Sequence, residues 1–375
     1  MRSQPRMNDS VQRIKERLPV TDVVSQYVKL EKAGASMKAR CPFHNEKTPS
    51  FFVSPARGTY YCFGCGEHGD IFTFVQKFEG VDFRKALETL AARAGVEIVK
   101  ENPQRRAERD RLRTALERAS EWFAGNLAEN KAAITYLTDR GLTLETIAAW
   151  KVGFAPAVWE ALREAFKKEE FRDEELLAVG LLRRSEKKKG EYYDYFRGRI
   201  MFPLFDSSGR AAAFSGRAFG ETEAEGPKYL NSPETPLFHK SSLLYGMHRA
   251  KLAIHKFTFS IVVEGQMDLL AAHQAGWANT VAPSGTALTE EHVTALRNLS
   301  RQVVLAFDAD AAGVAATEKA AYLALAHGMN VKVARLPKGL DPADLIRSNP
   351  EAFREAVRAS SHIVDFLLDQ LVSEG

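Results

Sequence analysis

The sequence predicts an α+β multidomain chain, with a small ribbon domain in front, a mixed α/β subdomain in the middle and an α/β parallel-sheet subdomain at the rear. Three observations carry this. All three cysteines of the 375 residues lie between Cys41 and Cys65. In the centre, "RIMFPLFDSSGRAAAFSGRAF" sets two strand-like runs about a Ser-Ser-Gly turn. From Thr258 onward, continuous apolar strands alternate with helical stretches, the pattern of a parallel sheet covered on both faces. A hydrophobic content of 45% suffices for two or three cores, and no apolar run approaches the roughly 18 residues of a membrane span. The net charge of +4 divides into +5 over residues 1–100, +4 over 101–257 and −5 over 258–375. A basic front and an acidic rear suit a chain that holds a polyanion at one end and divalent cations at the other.

The front element is "CPFHNEKTPSFFVSPARGTYYCFGC", with two tight pairs, Cys41-x2-His44 and Cys62-x2-Cys65. Three cysteines cannot all pair in one chain, and nothing near the N-terminus resembles a signal peptide, so a reducing, cytosolic setting is expected. Metal explains the set better than redox chemistry. His44 supplies the fourth ligand of a Cys3His group suited to one tetrahedral structural Zn2+, and the gap between the pairs allows a hairpin to bring them together. Gly64 and Gly66 suit the sharp second knuckle. Lys38, Arg40, Lys47 and Arg57 lie among Phe43, Phe51, Phe52, Tyr60, Tyr61 and Phe63. Cations beside aromatic rings suit a single nucleic-acid strand, although about half of these rings are needed for the ribbon's own core.

After this domain, residues 1–100, the charged stretch "KENPQRRAERDRLRT" reads as a linker over 101–113 leading into helix. Leu116, Trp122, Phe123, Leu127, Ile134 and Leu137 then recur at roughly helical spacing, with Gly141 as a stop. "RRSEKKKGEYYDYF" reads as a solvated hairpin tip, and the middle subdomain extends over 114–257. In the rear subdomain, 258–345, strands are expected at "TFSIVVEG", "NTVAP", "QVVLAFD" and "NVKVARLP", with helices starting near Gln266, Thr289, Ala311 and Asp341. Active groups in such sheets sit at the C-terminal strand edge. Glu264, Asp308 and Asp310, and Asp341 fall there, with Asp268 one helical turn beyond Glu264. Acids crowded on one rim repel unless cations sit between them, and oxygen ligands without His or Cys favour Mg2+ or Mn2+.

Glu264-Gly265 after a buried strand, "FDADAAG" (307–313) and "GLDPADL" (339–345) together resemble the TOPRIM domain of bacterial primases, topoisomerases and some nucleases. Within that superfamily, "CPFHNEKTPSF" with "YYCFGCGEHGD" is similar to the zinc ribbon of DnaG-type primases, and "GPKYLNSPETPLFHKSSLLYG" (226–246) resembles the segment those enzymes carry before TOPRIM. The resemblance covers nearly the whole chain from about Val11. It implies a DNA-dependent RNA polymerase that makes short RNA primers from NTPs on single-stranded DNA, working as a monomer with the replicative helicase in the bacterial cytoplasm. It further implies that Cys41, His44, Cys62 and Cys65 bind zinc. Glu264, Asp308 and Asp310 become the core ligands of two or more catalytic Mg2+ or Mn2+ ions, with Asp268 and Asp341 completing the cluster. Lys228, Tyr229, Asn231 and Lys240 match the template- and nucleotide-handling segment, and Arg140, Arg199 and Arg217 match basic positions of the cleft.

The sequence departs from the family pattern at Ala309, often glycine, and at Ala343, often an acid, with Asp344 as a possible substitute. The segment from 346 to Gly375 resembles the start of a trailing helical bundle, so a fragment lacking the family's helicase-binding domain is expected. Two other readings use parts of the same evidence. A topoisomerase or nuclease would share the acids, but no context for a covalent catalytic tyrosine is present. A non-catalytic zinc DNA-binding protein leaves the acidic rim without purpose. No Gly-x4-Gly-Lys-Ser/Thr loop occurs, which disfavours a fused helicase.

Overall fold

The computed structural model describes residues 7–96, 103–185, 190–220 and 226–374. The chain divides into two compact units: residues 1–103 with the short segments 251–260 and 294–302, and residues 104–250, 261–293 and 303–375.

The first unit is built on a five-stranded antiparallel meander, Glu31–Ala33, Ser36–Ala39, Phe51–Ser54, Thr59–Cys62 and His68–Gly69. Alternation along these strands sends Phe51, Val53, Tyr60 and Cys62 inward. The helix Ile71–Glu79 closes the core, with the Phe74 ring tilted at 6.1 Å from Phe51 and edge-on at 5.5 Å from Tyr60. Asp70 starts that helix by accepting the N–H groups of Phe72 and Thr73, and Gly80 ends it in the left-handed conformation.

The second unit opens with the helix Pro103–Glu129. The charged stretch expected as a linker over 101–113 is therefore helical from Pro103 on, because its arginines, Gln104, Ala107 and Glu108 are good helix formers even without an apolar stripe. The continued helical pattern breaks once, at Asn130, whose side chain accepts the Ala133 N–H and caps a new helix, Lys131–Asp139. Gly141 ends it with φ 91°. The two strand-like runs pair as expected, as Arg199–Phe205 against Ala211–Ala218, flanked by Gly153–Ala155 and Tyr229–Asn231 in one antiparallel sheet. Leu182–Arg184 and Tyr192–Asp194 form a separate hairpin. The tip lysines at 187–189 lie outside the described residues.

A second sheet runs in the order Leu244–Tyr245, Thr280–Pro283, Ser260–Val262, Gln302–Leu305, Asn330–Val333, Ser361–His362. Its centre is parallel and its two edge pairings are antiparallel. Ile261, Val262, Val281, Val303 and Leu305 are all buried, which is what their unbroken apolar runs require of a sheet with helices on both faces. The helices Gln266–Gln274, Glu290–Leu299, Ala311–Ala326 and Pro342–Ser348 start within one residue of their expected positions.

Candidate metal centres and nucleic-acid interface

In the first unit, the ligand atoms of Cys41, His44, Cys62 and Cys65 all lie within 4.8 Å of one another. The Cys41 and Cys65 sulfurs are 3.8 Å apart, and Cys62 Sγ is 3.7 Å from His44 Nδ1. These are the edges of a tetrahedron with metal–sulfur bonds of about 2.3 Å, so the donor set fits zinc. Burial and the neighbouring thiols push the Cys41 thiol up, a cost that a bound cation removes. Gly66 makes the expected turn, with φ 76°.

Sequence reasoning missed Glu46. Its carboxylate accepts the Cys41 N–H at 2.6 Å, the Ser50 N–H at 3.1 Å and the Ser50 hydroxyl at 2.5 Å, and it lies 3.3 Å from His44 Nε2. Burial would raise its pKa, but the Ser50 hydroxyl and the two N–H donors hold it below the usual carboxylate range. With Nε2 facing Glu46, His44 presents Nδ1 to the cysteines, an orientation fixed by the carboxylate behind it.

The aromatic residues divide. Phe51 and Tyr60 are buried and Phe43 packs on them. Phe52, Tyr61 and Phe63 form a cluster on the opposite face, with Phe63 72% exposed and its ring 5.5 and 4.8 Å from the other two. Lys38 stands beside Phe52 in the strand register.

In the second unit, the expected acids converge on the C-terminal rim of the parallel sheet. The Asp308 N–H donates to Glu264 Oε1 at 3.3 Å. Partial burial and then the charge of Asp308 push the Glu264 carboxyl up, while burial followed by Asp341 and Asp310 pushes Asp308 up, with Lys228 opposing. Asp308 Oδ1 is buried without a hydrogen-bond partner. A carboxylate oxygen in that state suits a hard divalent cation. Among the described residues, only the zinc set forms a compact group of three or more metal-ligating side chains; the mutually repelling acids stand further apart.

Individual acids differ in what else they do. Asp310 caps the helix Ala311–Ala326, accepting the Gly313 N–H at 2.7 Å. Gly313 must lack a side chain, since a Cβ there would lie 2.1 Å from the Asp308 carbonyl oxygen. Asp341 caps the helix Pro342–Ser348 through the Asp344 N–H. Asp268 is 7% exposed and bridges two segments, accepting the N–H groups of Gly265 at 3.0 Å and Ala343 at 3.1 Å. Burial, then Asp341 and Asp308, push its carboxyl up to about 7. Asp344 is held away by Arg347 at 3.0 Å and Arg140 at 3.8 Å.

The basic positions also separate. Lys228 is exposed, and its charge acts on Asp308. Tyr229 accepts a hydrogen bond from Arg217 at 2.9 Å, and the Arg217 guanidinium lies 5.5 Å over the Tyr136 ring. Asn231 packs against Gly285, just past the strand Thr280–Pro283, and its buried Oδ1 has no partner. The Lys240 N–H donates to Glu234. Arg199 is 6% exposed and donates to the carbonyls of Gly216 and Pro227, which shapes the approach to Lys228 instead of lining an open cleft.

Three family models match in order: a CHC2 zinc finger over residues 6–106, a DNA primase catalytic core N-terminal domain over 122–251, and a Toprim-like domain over 261–346. A curated DNA primase of Halalkalibacterium halodurans is 41% identical over 360 residues, covering 94% of this chain and 59% of its own length. The chain thus spans about three-fifths of that relative. The crystal structure of the Aquifex aeolicus primase zinc-binding and RNA polymerase domains is similar at a TM-score of 0.65 and 34% identity, covering 96% of this chain and 87% of the other. A DnaG primase catalytic domain bound to single-stranded DNA matches at 0.63 and 33%, covering 72% of this chain and 84% of that one. Among the described residues, no helix is long and apolar enough to cross a membrane. With three primase family models matched in order along its length and 41% identity to a curated DNA primase over 94% of the chain, this chain belongs to the DnaG-type DNA primases.

Proposed function

We propose that this chain is the zinc-ribbon and polymerase portion of a DNA primase, a DNA-dependent RNA polymerase that joins NTPs into short primers on a single-stranded DNA template. The observation that carries the reading is the buried, unpartnered Asp308 Oδ1 on a rim shared with Glu264 and faced by Lys228. Glu264, Asp308 and Asp310 would hold the divalent ions, Mg2+ or Mn2+, while Asp341 adds charge and Asp268 braces Gly265 against Ala343. Divalent ions bound there would supply alignment of the primer 3'-hydroxyl and neutralisation of charge on the α-phosphate and the leaving pyrophosphate. Lys228 and Lys240 hold nucleotide and template phosphates. Arg217 keeps Tyr229 in place, Asn231 offers its free amide oxygen, and Arg199 and Arg140 act through the segments they tie down. The zinc ribbon presents template through Phe52, Tyr61, Phe63 and Lys38. No protein nucleophile takes part.

The test is synthesis of labelled RNA on single-stranded DNA with NTPs and Mg2+. Asp308→Ala abolishes synthesis while the protein stays folded, and Cys62→Ser releases zinc and mainly impairs initiation. Full synthesis by Asp308→Ala sinks the reading. Template binding with no synthesis by the unaltered chain would favour a non-catalytic zinc protein.

A further inference from the structure

We infer that the cavity beside the zinc ligands in the first unit is a binding site for a free nucleotide, held by its phosphates and separate from the acidic rim. The inference goes beyond the proposed function and uses none of the metal-binding carboxylates.

The cavity measures about 300 Å³, the lower end of the size range for small-molecule sites. The ribbon supplies one wall through residues 40–46, and the segment 251–260, which belongs to the same unit, supplies another through Leu252, His255 and Lys256. Two cations therefore face one concave volume, Arg40 from the ribbon and Lys256 from the end of the helix Met247–Phe257. Both are exposed, and among the described residues neither has an ion-pair partner. The Lys256 ammonium lies 5.7 Å over the Phe257 ring, a contact that leaves its charge uncancelled. Lys251 on the same helix differs, because it pairs with Glu79. The one carboxylate among the lining residues, Glu46, is already engaged by the N–H groups of Cys41 and Ser50, the Ser50 hydroxyl and His44.

The rest of the lining is suited to a base. Pro42 and Phe78 are apolar walls, and Leu252 is 58% exposed. A flat heterocycle buries such surface, whereas an inorganic anion leaves it wet. His255 adds a polar contact. It is 7% exposed, and its Nε2–H donates to the Phe78 carbonyl at 2.9 Å, which leaves Nδ1 as an acceptor. That nitrogen is buried and has no hydrogen-bond partner. An amino or imino group of a base seated against the imidazole would supply the donor that the protein does not. Cations for phosphates, an apolar face for a ring and an unfilled acceptor together fit a nucleotide. A strand would need a series of cations and stacking rings along its backbone.

Isothermal titration of the zinc-loaded 375-residue chain with ATP, without added Mg2+, tests this. ATP binding should persist in Lys228→Ala/Lys240→Ala, which weakens any binding at the acidic rim. Adding Arg40→Ala/Lys256→Ala to that variant should weaken ATP roughly tenfold, through the loss of charge-assisted contacts to phosphate. Leu252→Asp, at an exposed position, should weaken ATP as well by setting a carboxylate beside the phosphates. Inorganic triphosphate and adenosine should each bind more weakly than ATP, because each makes only part of the contacts. Absence of ATP binding to Lys228→Ala/Lys240→Ala overturns the inference, as does an affinity unchanged by Arg40→Ala/Lys256→Ala or by Leu252→Asp. So does triphosphate binding as tightly as ATP, the mark of a plain anion site. Displacement of ATP by a single strand of about 8 nucleotides also overturns it, in favour of a strand site. Full zinc content and an unshifted melting temperature show that the variants remain folded. The synthesis result for Asp308→Ala is independent of all these outcomes, so the two readings fail separately.

Discussion

Glu46 gathers the first zinc knuckle about one carboxylate, which touches donors on Cys41, His44 and Ser50. Glu46→Gln replaces one acceptor oxygen with a donor amide facing N–H and O–H groups. Zinc affinity, read by competition with a metallochromic chelator, should fall about 10- to 100-fold. The ligands themselves were legible because their spacing is a local property of the chain. Glu46 was not, since a glutamate two residues after a ligand looks like any surface charge until folding brings it behind the imidazole. Asp268 gives a second prediction at this scale. Its native carboxyl titrates at about 7 against an ordinary 3.8. Its contribution to stability is therefore complete below pH of about 4 and is lost as pH rises through about 7, an effect of up to about 4 kcal/mol. In Mg2+-free, zinc-loaded protein, the melting temperature should fall over that range. Asp268→Asn should flatten the decline, and Mg2+ at neutral pH should reverse it, because an ion that binds only the native state stabilises it.

Helix starts double as metal-site geometry in the rear sheet. Asp310 both caps the helix Ala311–Ala326 and carries charge to the rim. The two roles come apart by substitution, because asparagine caps about as well as aspartate. Asp310→Asn should keep the melting temperature while synthesis falls sharply, and Asp310→Ala should lose both, with about 1 kcal/mol of stability. A melting curve and a primer-synthesis assay on the two variants check this. The alternation of strand and helix was readable from residue 258 because buried parallel strands must be apolar throughout and Gly265, Thr289, Asp310 and Asp341 mark the helix starts. The Pro103–Glu129 helix was misread at its N-terminal end, because a solvated helix rich in arginine and glutamate carries no apolar stripe there to announce itself.

Each unit has its own core: Phe51, Tyr60 and Phe74 in the first, and Phe123, Phe166 and Phe214 in the second. Only the first contains the zinc-ligand set. Removing zinc with a strong chelator should therefore abolish one calorimetric unfolding transition and leave the other, whereas loss of both together would contradict the division. The sequence by itself determined the zinc ligands, the strand–helix alternation of the rear and the acids at its rim, because spacing and periodicity are written along the chain. The tertiary structure alone decided which charges are spent and which are free. It buried Arg199 on carbonyls, tied Asp344 to Arg347 and Arg140, turned Asp268 into a brace, and left Asp308 Oδ1 without a partner. A charged side chain's role depends on neighbours far away in sequence and on its depth from water, and neither is set until the chain has folded.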